Sequence, residues 1–274
     1  MQAEFPTTAA EAFINSGHNV FANSHVQRLR AACSPPLCRG EVVARRGAVV
    51  GALSLVEPHF VADTTGDLSI WKHPEADASY VVAVDIGGRS RTSDWSVIAV
   101  LRADSDVPEV VAQWRGHTDH DLLAWNAARI ATYYNRALLV FESNSLESDT
   151  SYGSYLLHEL YQHYDNLYLR HSVYAAASRL GFHTNRRSKA AIIAGLIAAV
   201  RDGLYVERSD IAVDELLTYR MLPNGSYAAT EGFHDDCLIT RAIALHVIHT
   251  EQPQAYSLRS NSDLARYIHR IRDS

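Results

Sequence analysis

Three acidic positions in this sequence stand where a fold could bring them together. Asp85 closes the apolar run Tyr80–Val84, Glu142 follows the apolar run Ala137–Phe141, and Asp235 and Asp236 follow Gly232-Phe233-His234 at the head of an apolar, helix-like stretch. A carboxylate at the end of a buried strand is rigidly mounted and partly desolvated, which is costly unless it has a partner. Several of them converging repel one another until a cation sits between them. Oxygen ligands with few Cys or His companions select magnesium or manganese over zinc. One or two such ions, about 4 Å apart when paired, can activate water and stabilise the leaving oxygen of a phosphodiester. Each acid also has a plainer use. Asp85 could cap the turn before Gly87-Gly88, Glu142 could bond loop amides, and Asp235 or Asp236 could cap a helix and complement its dipole.

The elements that must position these acids follow from periodicity. Tyr80–Val84 reads as a buried strand, followed by strands over Ser96–Leu101 and Val107–Arg115. Asp119 or His120 opens a helix to about Asn135, with Leu122, Leu123, Ala127 and Ile130 on one face. Ala137–Phe141 is the next buried strand. Ser154–His163 reads as helical and Leu167–Leu169 as a short strand. Ser188 is expected to cap a helix running to Asp202 and ended by Gly203. Ile211–Tyr219 reads as helical, Pro223-Asn224-Gly225 as a turn, and a last helix starts at Asp235 or Asp236 and runs to about His249. Before this region, Ser24–Cys33 reads as helical and Val42–Leu55 as irregular strands. The pattern predicts an α/β protein with a mixed central sheet and helices on both faces, an order similar to that of RNase H-like folds.

Short motifs in this order resemble the nuclease portion of viral large terminase subunits, the motors that package DNA into capsids. Tyr80-Val81-Val82-Ala83-Val84-Asp85 is similar to that family's first strand and acid, and Leu139-Val140-Phe141-Glu142-Ser143-Asn144 to its second acid with an Asn. Gly232-Phe233-His234-Asp235-Asp236-Cys237-Leu238 is similar to its Gly-x-His-Asp-Asp element, and Ser188-Lys189 to a polar–basic pair before an Ala-rich helix. Glu4–Phe13 resembles the segment that follows the ATPase in full-length relatives. The resemblance implies residues 1–70 as a linker or N-terminal extension, 71–250 as the nuclease and 251–274 as a tail. It implies Asp85, Glu142 and one or both of Asp235 and Asp236 as catalytic metal ligands, with His234 and Asn144 supporting them from behind. It also implies double-stranded DNA, an ATPase motor region, a portal and a small terminase subunit as partners. No Gly-rich phosphate loop ending in Gly-Lys-Ser/Thr occurs, so no ATP site is expected in this chain, which would be a fragment beginning past the motor or a stand-alone unit.

Arg89 and Arg91 follow Asp85 closely, and Arg186, Arg187 and Lys189 form the densest basic cluster of the nuclease region. Both groups suit phosphate contact, and both equally suit a solvated loop or helix entry. The net charge of −6 neither requires nor forbids a nucleic-acid partner, because whole-chain charge does not describe a local site. No apolar run is long enough to cross a membrane, and no secretory signal is evident. Three cysteines make no disulfide framework, so a cytoplasmic location is expected. The expectation is a magnesium- or manganese-dependent endodeoxyribonuclease. A Holliday-junction-resolvase-like nuclease is its nearest alternative. Val84-Asp85-Ile86-Gly87-Gly88 also resembles the first phosphate loop of actin-like sugar kinases, although Arg89 replaces the expected hydroxyl residue. A docking module for packaging partners is the non-enzymatic alternative.

Overall fold

The computed structural model describes residues 19–45, 56–88, 93–144, 160, 164–170 and 179–250. Its centre is strand β4, Tyr80–Asp85, in which five successive residues are buried. That run is apolar on both sides because both faces of the sheet are covered. Val81 and Ala83 face one core; Tyr80, Val82 and Val84 face the other. β5 (Ser96–Arg102) pairs antiparallel with β4, and β6 (Glu109–Gly116) with β5.

Helix α2 (His120–Tyr133) then crosses the second face and returns the chain to β7 (Leu138–Phe141), which lies parallel to β4. A parallel pair needs such a crossover. It places the C-terminal ends of β4 and β7 at the same edge of the sheet. Leu123, Ala124, Ala127, Ile130 and Ala131 of α2 bury the face that periodicity assigns to it.

The strand order is β2-β1-β3-β6-β5-β4-β7, where β1 is Cys38–Arg45, β2 Val56–Ala62 and β3 Leu68–Ile70. The boundary expected at residue 70 therefore runs through the sheet, since β1, β2 and β3 continue it past β6. The outer edge of β6 would otherwise present a row of unpaired backbone groups. β3 pairs with it through Leu68↔Trp114 and Ile70↔Ala112, and β1 pairs with β3. Three residues are too few to announce a strand by alternation. β2 contains Pro58 beside an irregular register opposite Val43 and Arg45, a residue that sheets accept at edges and bulges. The N-terminal helix is Asn23–Arg30, here α1.

On the first face lie α3 (Arg186–Asp202), α4 (Asp210–Thr218) and α5 (Asp236–Thr250). The cap of α3 differs from expectation: Asn185, not Ser188, is the N-cap. The Asn185 side chain accepts bonds from the amides of Arg187 and Ser188, and Ser188 Oγ accepts one from the Asn185 amide at 2.8 Å. This is a reciprocal capping box with Ser188 in its third position, and it brings Arg186 and Arg187 into the first turn. Gly203 ends the helix in the left-handed conformation, φ 69°, where a Cβ would be strained. The turn at Asn224-Gly225 joins β10 (Tyr219–Met221) to β11 (Tyr227–Ala229); β8 (Leu169–Arg170) and β9 (Arg179–Leu180) form a second short pair.

Helix α5 is buried on nearly every side from Asp236 to Val247, between the sheet, α3 and α4. Its Arg241 is 1% exposed and is held by Glu207 at 3.0 Å and Gln113 at 2.5 Å. This charge is matched inside the protein, as buried charges must be. The helix expected over Ser154–His163 falls outside the described residues apart from Leu160, which is buried. The segments 1–18 and 251–274 also fall outside them.

Candidate metal centre

The parallel pairing of β4 and β7 brings two acids side by side. Val84 is in register with Phe141, and the Glu142 amide donates to the Val84 carbonyl at 2.9 Å. Asp85 and Glu142 leave the sheet together, both half-buried, and their carboxyl groups share a hydrogen bond. Burial first, then Glu142, then Asp236 and Asp235 push the Asp85 carboxyl well above the usual range. Two carboxyls in that contact require a proton or a cation between them.

The third contribution comes from the start of α5. The Asp235 carbonyl accepts the first helical bond, from the Ile239 amide at 2.8 Å. Asp236 is 5% exposed and accepts a bond from the Trp95 amide at 3.1 Å. Its carboxyl is pushed up to about 6 by burial, against the Trp95 bond and His234, with Asp94 and Asp235 adding to the rise. Glu215 of α4 stands behind it, accepting from the Leu238 amide at 2.9 Å and so serving the first turn of α5. Burial raises Glu215 to about 7.

The structure thus brings Asp85, Glu142, Asp235 and Asp236 into one neighbourhood, and it adds Asp94, which sequence reasoning missed. Asp94, His234 and Asp236 offer ligand atoms that all lie within 4.8 Å of one another. His234 Nδ1 stands 3.6 Å from both carboxylates, and it is buried with no hydrogen-bond partner. The signal for Asp94 was its place in the sequence: it stands two residues before β5, opposite the strand end that carries Asp85. Gly87 permits that closure. A Cβ there would meet the Trp95 carbonyl carbon at 2.3 Å and the Asp94 oxygen at 2.4 Å. The Gly88 amide donates to the Asp94 carbonyl at 3.0 Å. The space beside these glycines is filled by Ser93, Asp94 and Trp95, which accounts for Gly87-Gly88 without a nucleotide.

The other expected residues divide. Asn144 spends its amide in a two-way bridge to the Thr184 backbone, accepting from the Thr184 amide at 3.0 Å and donating to its carbonyl. It fastens the end of β7 to the chain leading into α3, and so acts through that loop. Lys189 faces Asp235 at 3.4 Å and lies 6.0 Å from the Tyr219 ring, so its charge already answers an acid. Arg186 donates to the Asn224 carbonyl at 2.8 Å, Arg187 is exposed in the first turn of α3, and Arg89 and Arg91 lie outside the described residues.

The chemistry of this donor set is that of a hard divalent cation: five carboxylates and one imidazole, mounted on β4, the β4–β5 hairpin, the end of β7 and the start of α5. No helix among the described residues is long and apolar enough to cross a membrane.

No family model and no curated protein sequence matches the chain. Solved structures do. The magnesium-bound large terminase nuclease of the thermophilic phage G20c is similar over 84% of this chain and 98% of its own, with a TM-score of 0.54 and 16% identity. The same nuclease with bound cobalt gives the same figures, 0.54 and 16%. The large terminase nuclease domain of Thermus phage P74-26 covers 84% and 98% with a TM-score of 0.51 and 17% identity. Together with the strand order, these likenesses show that the chain has the RNase H-like fold of large terminase nuclease domains.

Proposed function

We propose that this chain is a metal-dependent endonuclease that cuts double-stranded DNA, with little sequence preference, during viral genome packaging. The observation that carries the reading is the surplus of carboxylates at one edge of the sheet. Asp85, Glu142, Asp235 and Asp236 converge from three elements, and Lys189 is the one lysine or arginine within 4 Å of them among the described residues. The residues fit a divalent ion: Asp85 and Glu142 would hold it at the strand ends, Asp235 and Asp236 at the helix start, with Asp94 and the unpartnered His234 Nδ1 beside Asp236. Magnesium or manganese suits so oxygen-rich a set. When bound, one or two such ions supply an activated water and charge stabilisation at a phosphodiester.

The chain's own residues do the rest. The Trp95 amide and Glu215 hold Asp236 and its helix turn in place. Asn144 keeps the chain that leads into α3, the helix bearing Lys189, against the end of β7. The fold shared with magnesium- and cobalt-bound terminase nucleases supports the reading. It implies host cytoplasm as the place of action, and the motor, portal and small subunit as partners that present the DNA.

The test is cleavage of supercoiled plasmid at low salt in Mn²⁺, Mg²⁺ or EDTA, with Asp85→Ala beside the parent. Nicking and linearisation should need metal and vanish in the variant. If the parent neither cuts DNA nor binds Mn²⁺ by paramagnetic resonance, the reading is wrong.

A further inference from the structure

Arg115, the penultimate residue of β6, lies on the same face of the sheet as Asp85. Asp85 is in register with Val97, and Val97 with Arg115. Directly opposed residues point to one face, and two steps of about 4.8 Å put Arg115 roughly 10 Å from Asp85 along the row. Its guanidinium lies 3.9 Å from the centre of the Trp95 ring. That ring is itself fixed: His117 packs on it at 4.0 Å, and the Trp95 amide is bound to Asp236.

An arginine beside so many carboxylates would ordinarily pair with one. Arg115 does not: it forms no ion pair among the described residues, and its Nε is buried without a hydrogen-bond partner. Cation–π contact with Trp95 holds the guanidinium over the ring, and a guanidinium's fork of donors suits a planar or tetrahedral oxyanion.

We infer that Arg115, seated on Trp95, grips a backbone phosphate of the DNA next to the one being cut, and so sets where the strand lies over the acids. This rests on the nuclease reading above. Arg115 is a positioning residue in it, since it touches the DNA beside the reacting phosphate.

The experiment measures binding of a short fluorescent DNA duplex by anisotropy in EDTA, over a series of salt concentrations, for the parent, Arg115→Gln and Arg115→Lys. Arg115→Gln should bind about ten-fold more weakly at low salt, as expected for a charge-assisted phosphate contact. It should also lower the slope of log affinity against log salt by about one contact's worth, ~0.9. Arg115→Lys should keep the slope and lose only part of the affinity. A folded Arg115→Gln protein with the parent's affinity and slope would overturn the inference. If Arg115→Gln does not fold, an unchanged affinity in Arg115→Lys overturns it instead, because lysine cannot reproduce the stacked, two-pronged contact. A parent that binds no duplex at all sinks the nuclease reading itself, which is a different result.

Discussion

Helix α5 carries two sets of buried charge, and they are treated in opposite ways. At its middle, Arg241 meets Glu207 and Gln113 in a closed arrangement that leaves the pair neutral. At its start, Asp235 and Asp236 join Asp85, Glu142 and Asp94, and the nearby Lys189 answers only Asp235. The two sites lie on one helix and against one sheet, the closed one fully buried and the open one only in part. They differ above all in charge balance. A charge that serves the fold is satisfied by the fold; a charge excess that the fold leaves standing waits for something from outside.

The largest effect is expected at the closed site. Arg241→Leu leaves Glu207 buried without its partner and should destabilise the protein by about 3–5 kcal/mol in urea unfolding. Pairing it with Glu207→Gln should recover much of the loss. A single variant as stable as the parent would mean that the pair is not desolvated as described.

At the open site the same kind of substitution should act in the other direction. Asp85→Asn relieves carboxylate repulsion, so in EDTA near neutral pH its thermal midpoint should rise by a few degrees. The upward shift that Mn²⁺ gives the parent should shrink or vanish. An Asp85→Asn protein that is less stable than the parent in EDTA would show that Asp85 serves the fold rather than a cation.

A third expectation concerns pH. Glu215 and Asp236 hold their protons to about 7 and about 6 in the folded chain, above their ordinary carboxyl values. The unfolded state therefore binds fewer protons between about pH 4 and 7, and stability should fall as pH rises through that window and then level. Glu215→Gln should flatten the upper part of the fall in metal-free urea titrations at stepped pH. The same slope in parent and variant would remove Glu215 from the account.

A fourth expectation concerns Asn144. Asn144→Ala loses both bonds to the Thr184 backbone and should cost about 1–3 kcal/mol, while raising the Mn²⁺ concentration needed for half-maximal cleavage through the loosened β7 end. Unchanged metal dependence would make the bridge purely structural.

How much of this was legible beforehand varies residue by residue. Asp85 and Glu142 were visible because each ends an apolar run, and a parallel pair puts both run ends at one edge. Asp235-Asp236 were visible as a helix start. Asn185 was overlooked as the α3 cap because Ser188 offered the stronger pattern, and the reciprocal bond between them uses both. β3 was too short for periodicity to declare, and β2 carries a proline that local rules read as a break. Both are held by the unpaired edge of β6, which is a tertiary demand.

The apolar runs, the crossover helix between β4 and β7, and the acids that follow the runs are written in the sequence, because they rest on local patterns of a few residues. The folded chain alone sets Asp94 and His234 against Asp236, lays Arg115 on Trp95 without a carboxylate partner, and completes the sheet with β1, β2 and β3. Those neighbours are joined by strand register and by a helix packed across the sheet, and no spacing along the chain encodes them.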